Sequence, residues 1–190
     1  MLILVRHGQT LANAEGLLLG RADPPLTELG EQQARAVVAA LPAPSRVISS
    51  PLQRATSTAS LFASDVEIDE RWIELDYGTL DGVALEDVPA ETWRTWRSDA
   101  TFCPGGGECL VDLRRRVDDA CRSLLEAARD EVVVVVTHVG PIKAAIAWVV
   151  QVPDDIAWRM HVEDASISRI DINPHGPSLR WFNRHAAPTH

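Results

Sequence analysis

The chain has 190 residues, a mass of 20.8 kDa, 46% hydrophobic and 24% charged residues, a formal net charge of -9 and a pI near 5.1. That length and balance fit one compact domain over 1–190 and exclude a disordered chain. The acidic total excludes a general polyanion binder, so nucleic acid is not an expected partner, although a small basic pocket remains compatible with it.

Leu2–Val5 is a short apolar run ending at Arg6 and reads as a buried strand. Thr27 is placed to cap a helix running to Leu41, where Pro42 and Pro44 stop it. Arg46–Ser49 reads as a second strand. Ser50, followed by Pro51 at the first helical position, starts a helix to about Ala63. Val66–Leu75 reads as extended, and Asp76–Val83 as a Gly- and Asp-rich loop.

A short helix carries Trp93 and Trp96, and the loop Cys103–Gly107 follows. From Leu110 to about Ala128, apolar residues recur at intervals of three and four, predicting a helix. The β-branched run Val132–Val136 predicts a central parallel strand covered on both faces. Gly140-Pro141 opens a helix to about Val150. Ser166–Ile172 reads as a strand, Ser178–Phe182 as an edge strand, and 184–190 as a frayed tail. Strands alternating with helices predict an α/β fold with a mainly parallel sheet in a single domain.

Cys103, Cys109 and Cys121 are odd in number and include no CxxC pair, which speaks against a disulfide framework or a zinc site. The longest apolar runs are too short to cross a bilayer, and Arg6 interrupts the N-terminal apolar run too early for a signal peptide. A cytoplasmic protein without membrane attachment is expected.

In an open α/β sheet, ligands bind beyond the carboxyl ends of the strands. There the first strand delivers Arg6 and His7, the strand ending at Val136 delivers Thr137 and His138, and the segment after Ser49 carries Arg54. Helix starts near Pro51 and Pro141 would aim free N–H groups at the same edge. Arg forks match phosphoryl oxygens, and a neutral imidazole is a competent nucleophile at phosphorus. The leaving oxygen needs a proton donor; Glu74 is a candidate, but spacing alone does not choose it over Asp69, Glu70 or Asp76. Of the 18 Lys and Arg residues only Lys143 is lysine, which reads mainly as compositional bias.

Leu4-Val-Arg-His-Gly-Gln-Thr10 resembles the signature of the histidine phosphatase superfamily, the phosphoglycerate mutase-like proteins. The resemblance continues in order through Gly20–Gly30, Ser49–Thr56, Glu74–Gly78 with Gly82, Gly106–Glu108 and Val136–Gly140. It implies a three-layer α/β/α sandwich and a histidine acid-type phosphatase of the broad-specificity or α-ribazole phosphatase branch. It also implies residue roles: His7 as the nucleophile that becomes phosphorylated, with Arg6, Arg54, His138 and Asn13 binding the phosphoryl group. Glu74 is implied as proton donor and then base. No metal and no cofactor are implied, and the expected partner is a small phosphorylated metabolite.

Val139 stands where many members carry Gly; its N–H can still face the phosphoryl group, but its side chain must be housed. Arg21 is placed for either a substrate contact or the surface. Trp93 and Trp96 fit packing or a substrate cap, and Arg114-Arg-Arg116 fits a solvated helix face. A cofactor-dependent phosphoglycerate mutase and a non-catalytic phospholigand-binding domain are the alternatives; oligomeric state, including a homodimer, is open.

Overall fold

The apolar runs assemble as one sheet in the computed structural model, which describes residues 1–186. Strands β1 (Leu2–Arg6), β2 (Arg46–Ser49), β3 (Glu67–Ile68), β4 (Val133–Thr137), β5 (Ile167–Asn173) and β6 (Gly176–Arg184) lie in the order β3-β2-β4-β1-β5-β6. The first four positions in that order are joined by parallel pairings; β5 and β6 extend the sheet antiparallel beyond β1.

The alternation of side chains along β1 and β4 explains the layers. Leu2, Leu4, Val133 and Val135 face one side, against helices α5 (Leu110–Leu124) and α7 (Val139–Val150). Ile3, Val5, Val134 and Val136 face the other, with Val37 of α2 (Glu28–Ala40) and Ala55 and Ala59 of α3 (Gln53–Ala59). The fold is thus a three-layer α/β/α sandwich around a mostly parallel sheet. All four of these β4 valines are fully buried. At about 1.5–3 kcal/mol per fully buried Val or Leu side chain, the central strands form its most strongly anchored part.

Thr27 does cap α2, its side chain accepting from the Gly30 N–H at 3.0 Å. Two short helices, α1 (Leu11–Ala14) and α4 (Ala90–Ser98), lie in the loops; α4 carries Trp93 and Trp96 as expected. Other boundaries differ. Helix α3 starts at Gln53 rather than Pro51, with Leu52 at its cap; Ser50 Oγ lies 2.6 Å from His138 Nε2 and accepts only a long 3.4 Å bond from Leu52 N–H. Of Val66–Leu75 only Glu67–Ile68 pairs as strand: the Asp69 carboxylate accepts from Arg71 N–H and turns the chain into a 3₁₀ helix over Glu70–Trp72. Helix α5 ends at Leu124, and a separate turn of helix, α6 (Ala127–Asp130), completes the expected span. The expected tail at 184–190 begins inside β6, which includes Arg184; 187–190 lie outside the described residues. No helix among the described residues is long and apolar enough to cross a membrane.

Candidate active site

Strand register creates the site. Arg6 of β1 is level with Thr137 of β4, and His7 N–H donates to the Thr137 carbonyl at 3.1 Å. His7 and His138, each just past its strand, therefore emerge side by side, with ring centroids 5.0 Å apart in an edge-on arrangement. Ser49 of β2 is level with Val136, which brings Ser50 to the same edge. Gly8 is required here by space: a Cβ on it would lie 2.1 Å from the Gly30 carbonyl oxygen.

His7 is buried, and its Nδ1 lies 2.7 Å from the Gly8 carbonyl oxygen. A carbonyl only accepts, so Nδ1 carries the proton and Nε2 holds the free lone pair. Arg54 Nε donates to that Nε2 at 3.2 Å. Burial first, then the charges of Arg54 and Arg6, push the His7 pKa well below the usual imidazole range, keeping the ring neutral.

His138 is also fully buried and also held well below the usual range, by burial and then by His7 and the neighbouring arginines. Its Nε2 lies 2.6 Å from Ser50 Oγ, while Nδ1 is buried without a partner among the described residues. Ser50 Oγ also accepts from Leu52 N–H at 3.4 Å; in the tautomer whose Nε2 accepts the Ser50 hydroxyl proton, Nδ1 is a free donor.

Arg54 is completely buried, yet among the described residues no carboxylate oxygen forms a hydrogen bond with it. Its Nη atoms donate to the carbonyls of Ala22 at 2.7 Å and Gly20 at 2.8 Å, and Asp23 stands off at 3.8 Å. Arg6 is held by the Val162 carbonyl at 2.6 Å and by Asp164 at 2.7 Å. Two guanidinium groups thus flank the histidines, Arg6 paired with Asp164 and Arg54 with Asp23 only at 3.8 Å, a setting suited to an anion in an otherwise acidic protein.

Burial separates Glu74 from the other acidic candidates. The residue is 3% exposed, whereas Glu70 is exposed, Asp69 is bound by Arg71, and Asp76 accepts from Gly78 N–H. Glu74 accepts from Leu75 N–H at 2.7 Å and Gly140 N–H at 3.0 Å. Burial outweighs these bonds and raises its pKa, favouring the protonated acid.

Not every expected residue joins the cluster. Asn13 is engaged in a capping box, its Oδ1 accepting from Thr10 N–H and Oγ–H; no hydrogen bond ties it to His7 among the described residues. Arg21 reaches towards Glu108 at 3.8 Å and likewise makes no bond to the histidines. The Val139 side chain is partly buried against the core. The helix starts differ from expectation: Gln53 N–H at the head of α3 is taken by Asp23 at 2.7 Å, and Gly140 N–H of α7 is taken by Glu74.

Two supporting residues escaped sequence reasoning. Asp81 accepts from three successive N–H groups, those of Gly20, Arg21 and Ala22, at 2.7–2.8 Å. It thereby orients the loop whose carbonyls grip Arg54. Arg116 is not on a solvated face: it donates to Glu108 and to the carbonyls of Arg71 and Glu74. Arg115 alone of the three arginines is strongly exposed, with 78% of its side chain accessible.

A strand-end pair of buried histidines flanked by two arginines and a buried carboxyl is the arrangement the sequence blocks announced. The chain belongs to the histidine phosphatase superfamily (branch 1), whose family model matches residues 2–185. It is 33% identical over 193 residues to the adenosylcobalamin/α-ribazole phosphatase of Escherichia coli, covering 96% of this chain and 95% of that one. It is 35% identical over 179 residues to a probable phosphoglycerate mutase of Salmonella paratyphi C, covering 88% and 83%. A crystal structure of a mutant phosphoserine phosphatase from Entamoeba histolytica in complex with phosphoserine superimposes with a TM-score of 0.89 at 26% identity, covering 96% and 95%. The chain spans about half, 53%, of the length of the mycobacterial relatives it matches.

Proposed function

We propose that the protein is a phosphomonoesterase that hydrolyses small phosphate esters through a phosphohistidine on His7. The observation that carries this reading is the pairing of a neutral His7 Nε2 with Arg54 Nε in a buried, cationic pocket. Nε2 attacks phosphorus and the bond from phosphorus to the leaving oxygen breaks. Glu74 gives that oxygen its proton. Arg6, Arg54 and His138 Nδ1 bind the phosphoryl oxygens as charge shifts onto them, assisted by the Val139 N–H and by Asn13. Glu74, now a carboxylate, then takes a proton from water; the water oxygen attacks phosphorus, the phosphorus–nitrogen bond breaks and inorganic phosphate leaves.

The raised Glu74 and lowered His7 favour an acid-type enzyme, since each shift widens the pH range in which Glu74 is protonated while His7 is neutral. The names of the Escherichia coli and Entamoeba relatives support hydrolysis; the Salmonella relative keeps phosphoryl transfer to a glycerate as the alternative. Assay with p-nitrophenyl phosphate and 3-phosphoglycerate tests the reading. Release of inorganic phosphate from the former is expected. Isomerisation of the latter without phosphate release would make the protein a mutase, and no turnover of either would make it a binding domain.

A further inference from the structure

Beside Glu74 opens a cavity of about 180 Å³ whose lining includes Tyr77, Trp93, Trp96, Trp158, Val139 and Lys143. Gly140, which donates to the Glu74 carboxyl, is part of the same wall. A proton donor must touch the leaving oxygen, so whatever leaves the phosphorus lies on this side of the site. An apolar cavity of about 150 Å³ takes up a benzene-sized guest. The aromatic wall is packed on itself: Trp93 stacks on Trp96 at 5.5 Å, and Trp158 meets Trp96 edge-on at 5.0 Å.

Lys143 is the chain's single lysine, one turn into α7, and it is partly buried in this wall. It forms no ion pair among the described residues. The other charges of the lining are matched, Arg114 with Asp154 at 3.1 Å and with Asp118. Burial lowers the Lys143 pKa while Glu74 acts in the opposite direction, which places the ammonium within reach of the site's field. The ammonium is only partly withdrawn from water, and an incoming anion would give it a charge-assisted partner.

We propose that this cavity receives the leaving group of the substrate, and that this group is a ring-sized apolar moiety bearing a carboxylate that pairs with Lys143. The proposal rests on the phosphatase reading for its direction. A carboxylate is favoured over a second phosphate because a single ammonium matches a monoanion, whereas the dianionic phosphoryl group has two arginines.

The test separates binding from turnover. Calorimetric titration compares methylphosphonate, benzylphosphonate and 4-carboxybenzylphosphonate, none of which can be hydrolysed. Benzylphosphonate is expected to bind more tightly than methylphosphonate, and the carboxylated compound more tightly again, by about 10–100-fold for a charge-assisted hydrogen bond. Lys143→Met should abolish the carboxylate preference, and Lys143→Arg should retain part of it. Equal binding of the two benzyl compounds, a preference that survives Lys143→Met, or no binding of any of them overturns the proposal. Hydrolysis of benzyl phosphate by the intact protein, measured separately, reports on the phosphatase reading alone.

Discussion

Arg54 donates its Nε–H to Nε2 of His7 across 3.2 Å, so the proposed phosphate ligand also covers the proposed nucleophile. The same guanidinium is fixed on its far side by the carbonyls of Gly20 and Ala22. A substrate phosphoryl group would take over the Nε–H and free the Nε2 lone pair in one exchange. The positions of nucleophile and anion clamp are thereby set before substrate arrives, and one hydrogen-bond exchange uncovers the lone pair.

Glu74→Gln should lower kcat/KM for an alkyl phosphate by about 10²–10⁴-fold, the usual worth of general acid–base catalysis. It should cost less with p-nitrophenyl phosphate, whose leaving group needs no proton. The pH profile has a defined sign. In the proposed mechanism phosphorylation of His7 requires protonated Glu74, so its rate is expected to fall as pH rises through the raised Glu74 pKa, and to fall also at low pH where His7 takes a proton. The alkaline limb should disappear in Glu74→Gln. Persistence of that limb in the variant would remove Glu74 from the acid role.

Asp81 acts through Arg54 rather than on substrate, which a double-mutant cycle can read. Asp81→Ala releases three backbone N–H groups and lets the Gly20–Ala22 carbonyls drift. A misplacement of this kind costs about 10²-fold in kcat/KM. In an Arg54→Ala background the same substitution should cost little more, because its target is gone. Full additivity of the two losses would make Asp81 a merely structural residue.

The parts of this site that lie at strand ends were legible in the sequence: Arg6 and His7 follow one apolar run, Thr137 and His138 another. Strand periodicity fixes where such residues emerge, and the parallel register of β1 with β4 does the rest. Glu74 could not be separated from its acidic neighbours, since burial distinguishes them and burial is a property of the whole fold. Asp81 and Arg116 were missed for a related reason. Asp81 meets its partners 59–61 residues away, and Arg116 reaches back 42 residues to Glu74, distances over which no local pattern speaks. The contact of Ser50 with His138, 88 residues on, is equally invisible to local pattern.

Turnover should survive removal of divalent ions. In the proposed mechanism Arg6 and Arg54 supply two fixed positive charges to the phosphoryl oxygens, the role a metal ion plays in many other phosphoryl-transfer sites. Dialysis against EDTA followed by assay is expected to leave kcat unchanged. Loss of activity that returns with a divalent ion would show that the arginines are insufficient.

The central claim is that Nε2 of His7 carries the phosphoryl group between the two steps. Rapid mixing of Glu74→Gln with p-nitrophenyl phosphate, quenched in alkali, should trap the intermediate, because its formation needs little acid help while its hydrolysis lacks a base. Mass spectrometry of the digested protein is predicted to place one phosphoryl group on the peptide containing His7, lost on acid treatment and absent from Glu74→Gln/His7→Ala. A burst of p-nitrophenol with no phosphoryl group on that peptide, or with the group on another residue, would contradict the account.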